Sequence, residues 1–369
     1  MPLRRCVRAT ALVVAALLWP RWVAAQTPAP EPQPQPALER RLLVVNKAEH
    51  SVSIFDAAAR REVAVLPTGR GPHEVAVAAD GAHAVITDYG DQKPGQTLTI
   101  VDPFEAKVLR TITLSASAIG NDGKKAEKAF LRPHGVQFVA ATKVVVTSEV
   151  GRRLLLVDVT TGAIERTWPT VQGTMHMVAL NADRTRAAAT SIREGNVVFF
   201  DLATEGTASP PPIACGEQSE GLAICPRSGD TWVGNRAADT VSIVDATGKV
   251  TQTLDVGDFP FRLAFTPDGA HALVACAEGD VLQVFDGKTA KLVREVSMSG
   301  DRSEQGSLPM GITTDDEGKR AYVTCGRGEF VAVVDLAAGT VVDRLPARKG
   351  CDGIAWAVRK APARVPITR

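Results

Sequence analysis

The chain has 369 residues, 42 basic and 41 acidic, for a formal net charge of +1, with 45% hydrophobic and only 5% aromatic side chains. No basic cluster interleaved with aromatics occurs, which argues against a nucleic-acid partner. No apolar run reaches the ~20 residues of a bilayer-spanning helix.

Residues 1–25 differ from the rest. Arg4, Arg5 and Arg8 make a basic start, Ala9 to Trp19 an apolar run and Val23-Ala24-Ala25 a small-residue end, the pattern of a cleaved export signal. A retained anchor is the alternative, and the apolar run is short for it. Arg4-Arg5 matches a twin-arginine signal poorly, because Cys6 and Arg8 stand where apolar residues are expected. Cleavage would remove Arg4, Arg5, Arg8 and Arg21 and no acid, taking the net charge to −3. The expected location is periplasmic or secreted, with no membrane span after processing. Residues 26–41 read as a linker, Gln26 to Ala37 being Pro-rich, extended and unable to pack a core.

From residue 42 the chain repeats. The hairpin signal from Gly69 to Asp88, then Thr97 to Asp102 and Lys107 to Leu114, spells four short strands. A third strand ending in Asp recurs at Asp56, Asp102, Asp158, Asp201, Asp245, Asp286 and Asp335, at spacings of 46, 56, 43, 44, 41 and 49 residues. That is the period of a four-stranded propeller blade. First strands begin at Pro72, Pro133, Met175, Ser219, Pro260, Pro309 and Cys351. The chain starts on a second strand and ends on a first strand, so the last strand can join the first three and close a ring. The expected fold is all-β: one seven-bladed β-propeller over residues 42–358, closed by the C-terminal strand, followed by a tail at 359–369.

The segments Ala321-Tyr322-Val323-Thr324-Cys325, Val241-Ser242-Ile243-Val244-Asp245 and Phe265-Thr266-Pro267-Asp268-Gly269 resemble the repeat of the YVTN-family propellers, which are usually exported bacterial and archaeal proteins. The resemblance covers residues 42–358. The asparagine closing the motif stands only at Asn46 and Asn235; Asp88, Ser148, Ser191, Cys276 and Cys325 replace it elsewhere. The wider superfamily includes binding proteins, lactonases, quinoprotein dehydrogenase subunits and the copper-binding propeller of nitrous oxide reductase, so the resemblance implies a fold and no single activity.

Aligning the first strands one position after their start gives the column His73, His134, His176, Glu220, Phe261, Met310 and Asp352. Three of six histidines fall there. First strands line a propeller's channel, so these side chains should ring one mouth, in the order Asp352, His73, His134, His176, Glu220. Imidazole and carboxylate donors on separate rigid strands suit a Zn, Cu, Ni or Fe ion. Three histidines could converge on one ion, with Glu220 or Asp352 as fourth ligand or outer partner. The same column also reads as structural polar lining. His83 and His271 repeat a hairpin slot, and His50 lies in a loop.

Long connections at Ser115 to Arg132, Ala203 to Glu217 and Ser299 to Leu308 should lie over the same mouth, with Lys124, Lys125 and Lys128 offering an anion-attracting run or a solvated one. Cys215, Cys225, Cys276, Cys325 and Cys351 would remain after cleavage, an odd number, reading as small buried residues or, alternatively, as a thiolate donor to the metal. No H-E-x-x-H, C-x-x-C, haem-attachment or phosphate-loop motif occurs, and Ser219 lacks the context of a nucleophile elbow. Two classes of function follow: a binding scaffold for an envelope or extracellular protein or a small ligand, or a metal-dependent enzyme, a lactonase-like hydrolase or redox protein with Glu220 as base.

Overall fold

Alternating apolar residues in short segments, separated by Asp-Gly and Gly turns, build antiparallel strands with one face turned to each neighbouring sheet. The computed structural model describes residues 37–119, 125–204, 209–298 and 306–361. Residues 1–25, where the export signal is expected, most of the expected linker, parts of all three long connections, Lys124 among them, and most of the tail lie outside them.

The described residues form seven four-stranded antiparallel sheets and one two-stranded hairpin. Blade 1 joins residues 38–67 to 351–360; blades 2 to 7 span 72–113, 133–169, 175–214, 219–255, 260–297 and 309–346. The innermost strands contact one another in sequence around the whole circle, so the sheets form the closed propeller that the repeat phase anticipates. Closure is made by Cys351–Lys360 pairing with Leu38–Asn46, in register Leu38↔Lys360 to Asn46↔Cys351. Pairing begins four residues before the apolar run at Leu42. There the outer ends carry charges that pair with each other, Arg359 Nε with Glu39 Oε2 at 2.7 Å and Arg41 Nη1 with Asp56 Oδ2 at 2.8 Å.

Seven apolar clusters fill the seven interfaces between blades. Leu98, Ile100, Val144 and Leu155, for example, lie between blades 2 and 3, and Leu42, Phe55, Tyr322 and Val331 between blades 1 and 7. Each fully buried Val, Leu or Ile contributes roughly 1.5–3 kcal/mol, so the ring rather than any single sheet is the stable unit. The repeated aspartates prove structural. Asp56 Oδ1 accepts from the N–H groups of Ala58 and Ala59, and Asp335 Oδ1 from those of Ala337 and Ala338, capping the turn into the fourth strand. Part of the Ser115–Arg132 connection is itself paired, Ser115–Ile119 against Lys125–Ala129, where the sequence suggests an unstructured loop.

Candidate functional site

Two sets of equivalent positions build the mouth of the channel. Each innermost strand is preceded by a residue in the left-handed region: Gly71, Arg132, Thr174, Gln218, Phe259, Leu308 and Gly350, with φ between 51° and 69°. The carbonyl of each accepts the N–H of an equivalent residue at the end of the second strand of its blade: Tyr89, which lies within its strand, and Glu149, Ile192, Arg236, Ala277, Gly326 and, for Gly350, Lys47, which directly follow theirs. This bond sets the first residue of the second-to-third-strand turn beside the start of the innermost strand. Side chains from both positions therefore share the mouth.

Past its first residue, the innermost strand leaves register with the second strand. Pro133 pairs with Ser148 and pairing resumes at Val136; Met175 pairs with Ser191 and resumes at Val178. Threonine hydroxyls of the second strand fill the gap. Thr147 Oγ1 accepts from the N–H of Gly135 (2.9 Å) and donates to the carbonyl of His176 in the next blade (2.6 Å). Thr87 serves Glu74 and His134, Thr190 serves Met177 and Glu220, and Thr324 serves Gly311 and Asp352 in the same way. Glycine lets the strands approach: a Cβ on Gly353 would lie 2.4 Å from the His73 carbonyl oxygen.

The structure brings all five candidate residues into one chain of contacts, in the order read from the sequence. His73 Nδ1 lies 3.0 Å from Asp352 Oδ2, without hydrogen-bond alignment. The His73 and His134 ring centroids are 4.1 Å apart, those of His134 and His176 3.5 Å, and those of the two outer rings 6.2 Å. His176 Nε2 lies 3.2 Å from Glu220 Oε1. All five are buried, and His134 is 0% exposed with no protein partner at either ring nitrogen.

Five further residues complete the site. Glu149 Oε1 lies 2.6 Å from His176 Nδ1, and its Oε2 accepts from the Tyr89 hydroxyl at 2.7 Å. Glu74 and Arg262 meet across the channel, with Arg262 Nε and Nη2 both on Glu74 Oε1, at 3.0 and 2.6 Å. Arg262 Nη1 also donates to Glu220 Oε1 at 3.0 Å, and Arg236 binds Glu220 Oε2. On the other side of the Glu74–Arg262 pair the channel continues as a space of about 510 Å³, lined by Val77, Phe138, Leu180 and Ile354 together with Gln137, Asn181 and Arg184.

Burial and partners oppose each other here. Burial, with the charges of His176 and His73 nearby, pushes the His134 pKa well below its ordinary value, leaving a neutral imidazole. Burial also works against a charge on His176, but Glu220 and Glu149 outweigh it and raise its pKa. Glu74 resists ionisation through burial, yet Arg262 and His73 hold its carboxyl down at about 2. Glu220 is likewise held below the carboxylate range, burial being overcome by His176, Arg262 and Arg236.

Among the described residues, the groups whose ligand atoms lie within 4.8 Å of one another are His73–Glu74–His134 and His134–Glu149–His176. The three histidines do not form such a group together. Glu220 and Asp352 stand behind His176 and His73 rather than in either group. Neither group contains sulfur, and burial pushes the thiols of Cys215, Cys276, Cys325 and Cys351 up to about 12. The sequence reading missed Glu74, Glu149, Tyr89, Arg236 and Arg262. Their signal was present in the two adjoining alignment columns. One reads Glu74, Gly135, Met177, Gly221, Arg262, Gly311, Gly353, with two opposite charges among glycines; the other holds Lys47, Tyr89, Glu149 and Arg236.

No family model matches the chain, and no curated protein matches it. Solved structures share the fold. A functionally unknown protein from Desulfotomaculum acetoxidans is similar with a TM-score of 0.66 at 14% identity, over 86% of this chain and 98% of that one. Kuenenia stuttgartiensis hydrazine synthase is similar with a TM-score of 0.63 at 16% identity, over 80% and 92%. At these identities the likeness is one of architecture.

Proposed function

We propose that the chain is a metal-binding propeller scaffold, which holds a Zn, Cu, Ni or Fe ion on His134 and its neighbours and presents that face of the channel to a partner. The observation that carries this reading is His134: fully buried, neutral, and without a protein partner at either nitrogen. A neutral imidazole has one donor and one acceptor, and each left unmet in a protein interior costs about 1–3 kcal/mol. Structural lining would be expected to pair them, as the threonine bridges pair the backbone around them. Charge favours a cation as well. Among the described residues, the four carboxylates of Glu74, Glu149, Glu220 and Asp352 meet two guanidinium groups in direct contact, Arg236 and Arg262, and beyond these the imidazoles of His73 and His176.

The YVTN-type repeat segments and the residue 1–25 pattern support export, to the periplasm or outside the cell, where an envelope or extracellular protein or a small ligand would meet the metal face. Fractionation of the expressing cell tests the location. Elemental mass spectrometry after exposure to each ion tests the site. Wild type should retain metal and His134→Phe should not, with equal far-ultraviolet circular dichroism. Wild type that retains none of the four metals would overturn the reading.

A further inference from the structure

We infer that His134 bridges two metal ions, one on each ring nitrogen, with His73 and Glu74 completing one site and Glu149 and His176 the other. This rests on the metal-binding reading above and extends it from one ion to a pair.

The two ligand groups overlap in His134 alone, and each contains one further histidine and one carboxylate. His134 stands between the outer rings, 4.1 Å from His73 and 3.5 Å from His176 by centroid, while those two are 6.2 Å apart. A single ion would satisfy one His134 nitrogen and leave the other buried and bare, whereas an ion on each satisfies both. The outer histidines are equipped alike. His73 has Asp352 beside Nδ1, and His176 has Glu220 beside Nε2, so each has a carboxylate to orient one nitrogen; the other nitrogen of His176, Nδ1, faces Glu149 Oε1 at 2.6 Å, its fellow donor in the same group. Both Arg262 bonds to Glu74 fall on Oε1, and Tyr89 donates to Glu149 Oε2, so each carboxylate of the two groups is itself oriented.

Each half thus offers two nitrogens and one carboxylate, a donor set for borderline dications that leaves coordination positions open. The balance is simple. Neutral His134 carries one N–H; the first ion takes the bare nitrogen, and the second displaces that proton to solvent, leaving an imidazolate between the ions. No electrons move.

The test uses the purified chain loaded with Cu²⁺, with copper counted by elemental mass spectrometry and the spins counted by electron paramagnetic resonance. Two copper ions per chain with an exchange-coupled signal are expected. Glu149→Gln and Glu74→Gln should each lower the count to one and restore an uncoupled signal, with circular dichroism confirming the fold. One copper per chain with a full uncoupled signal would overturn the bridge while leaving the metal-binding reading intact. Two uncoupled ions would also overturn the bridge. No bound copper, together with no bound Zn, Ni or Fe, would overturn both.

Discussion

Glu74 and Arg262, separated by 188 positions in the chain, meet across the channel with Arg262 Nη2 2.6 Å from Glu74 Oε1. Arg262 also binds Glu220, so one guanidinium ties blade 6 to blades 2 and 5. The pair stands between the histidines and the rest of the channel. A buried pair adds little over apolar packing, but removing one partner strands a charge.

Arg262→Met should therefore lower stability by about 3–5 kcal/mol in urea denaturation, because it leaves two buried carboxylates without it. Adding Glu74→Gln should recover part of the loss. Acid behaviour gives a second readout. Glu74 is held down at about 2 in the folded chain against an ordinary glutamate value of 4.5, so its contribution is complete above pH 4.5 and is lost as pH falls toward 2. In Arg262→Met this acid-side loss should flatten.

Asp88 replaces the asparagine found at Asn46 and Asn235. Those asparagines donate to pairs of hydroxyls, Ser51 and Ser53 or Thr240 and Ser242, whereas Asp88 Oδ2 accepts from Thr97 and Thr99. Burial raises the Asp88 pKa from 3.8 to about 6 despite these bonds. The folded state therefore holds a proton that the unfolded chain releases. The contribution of Asp88 to stability is greatest below pH 3.8, falls as pH rises to 6, and stays reduced above it. Asp88→Asn should raise stability at pH 7.5 by about 1–3 kcal/mol and have little effect near pH 3.5. Thermal melts across that range measure it.

Thr147 tests how neighbouring blades position the histidines. Thr147→Val keeps the side-chain shape but removes the hydroxyl that links Gly135 N–H to the His176 carbonyl. A loss of about 1–3 kcal/mol is expected, since both backbone groups are buried. Metal affinity should fall along with it, measured by competition with a chelating dye.

The propeller was legible because its repeat is written in strand-length segments. Asp56 to Asp335 mark seven turns, and the phase at Leu42 and Gly353 gives closure. The histidine column was legible for the same reason, since equal register puts side chains at equal height in every blade. What the column could not show is which carboxylates face which rings. Glu149 reaches His176 from a turn, and Glu74 reaches Arg262 across the channel, both through three-dimensional closure of the ring. The charged ends of the closing strands, Glu39 to Arg41 and Arg359, were also hidden, because they pair through ions rather than apolar alternation.

The most direct measurement is X-ray diffraction from crystals of the zinc-loaded chain, collected on both sides of the zinc absorption edge. Anomalous density at the ring nitrogens of His134, at about the 2.0–2.1 Å of a zinc–histidine bond, is the expected result. Absence of anomalous density at this mouth in zinc-saturated crystals, with the His134 nitrogens bonded to water or protein instead, would contradict it.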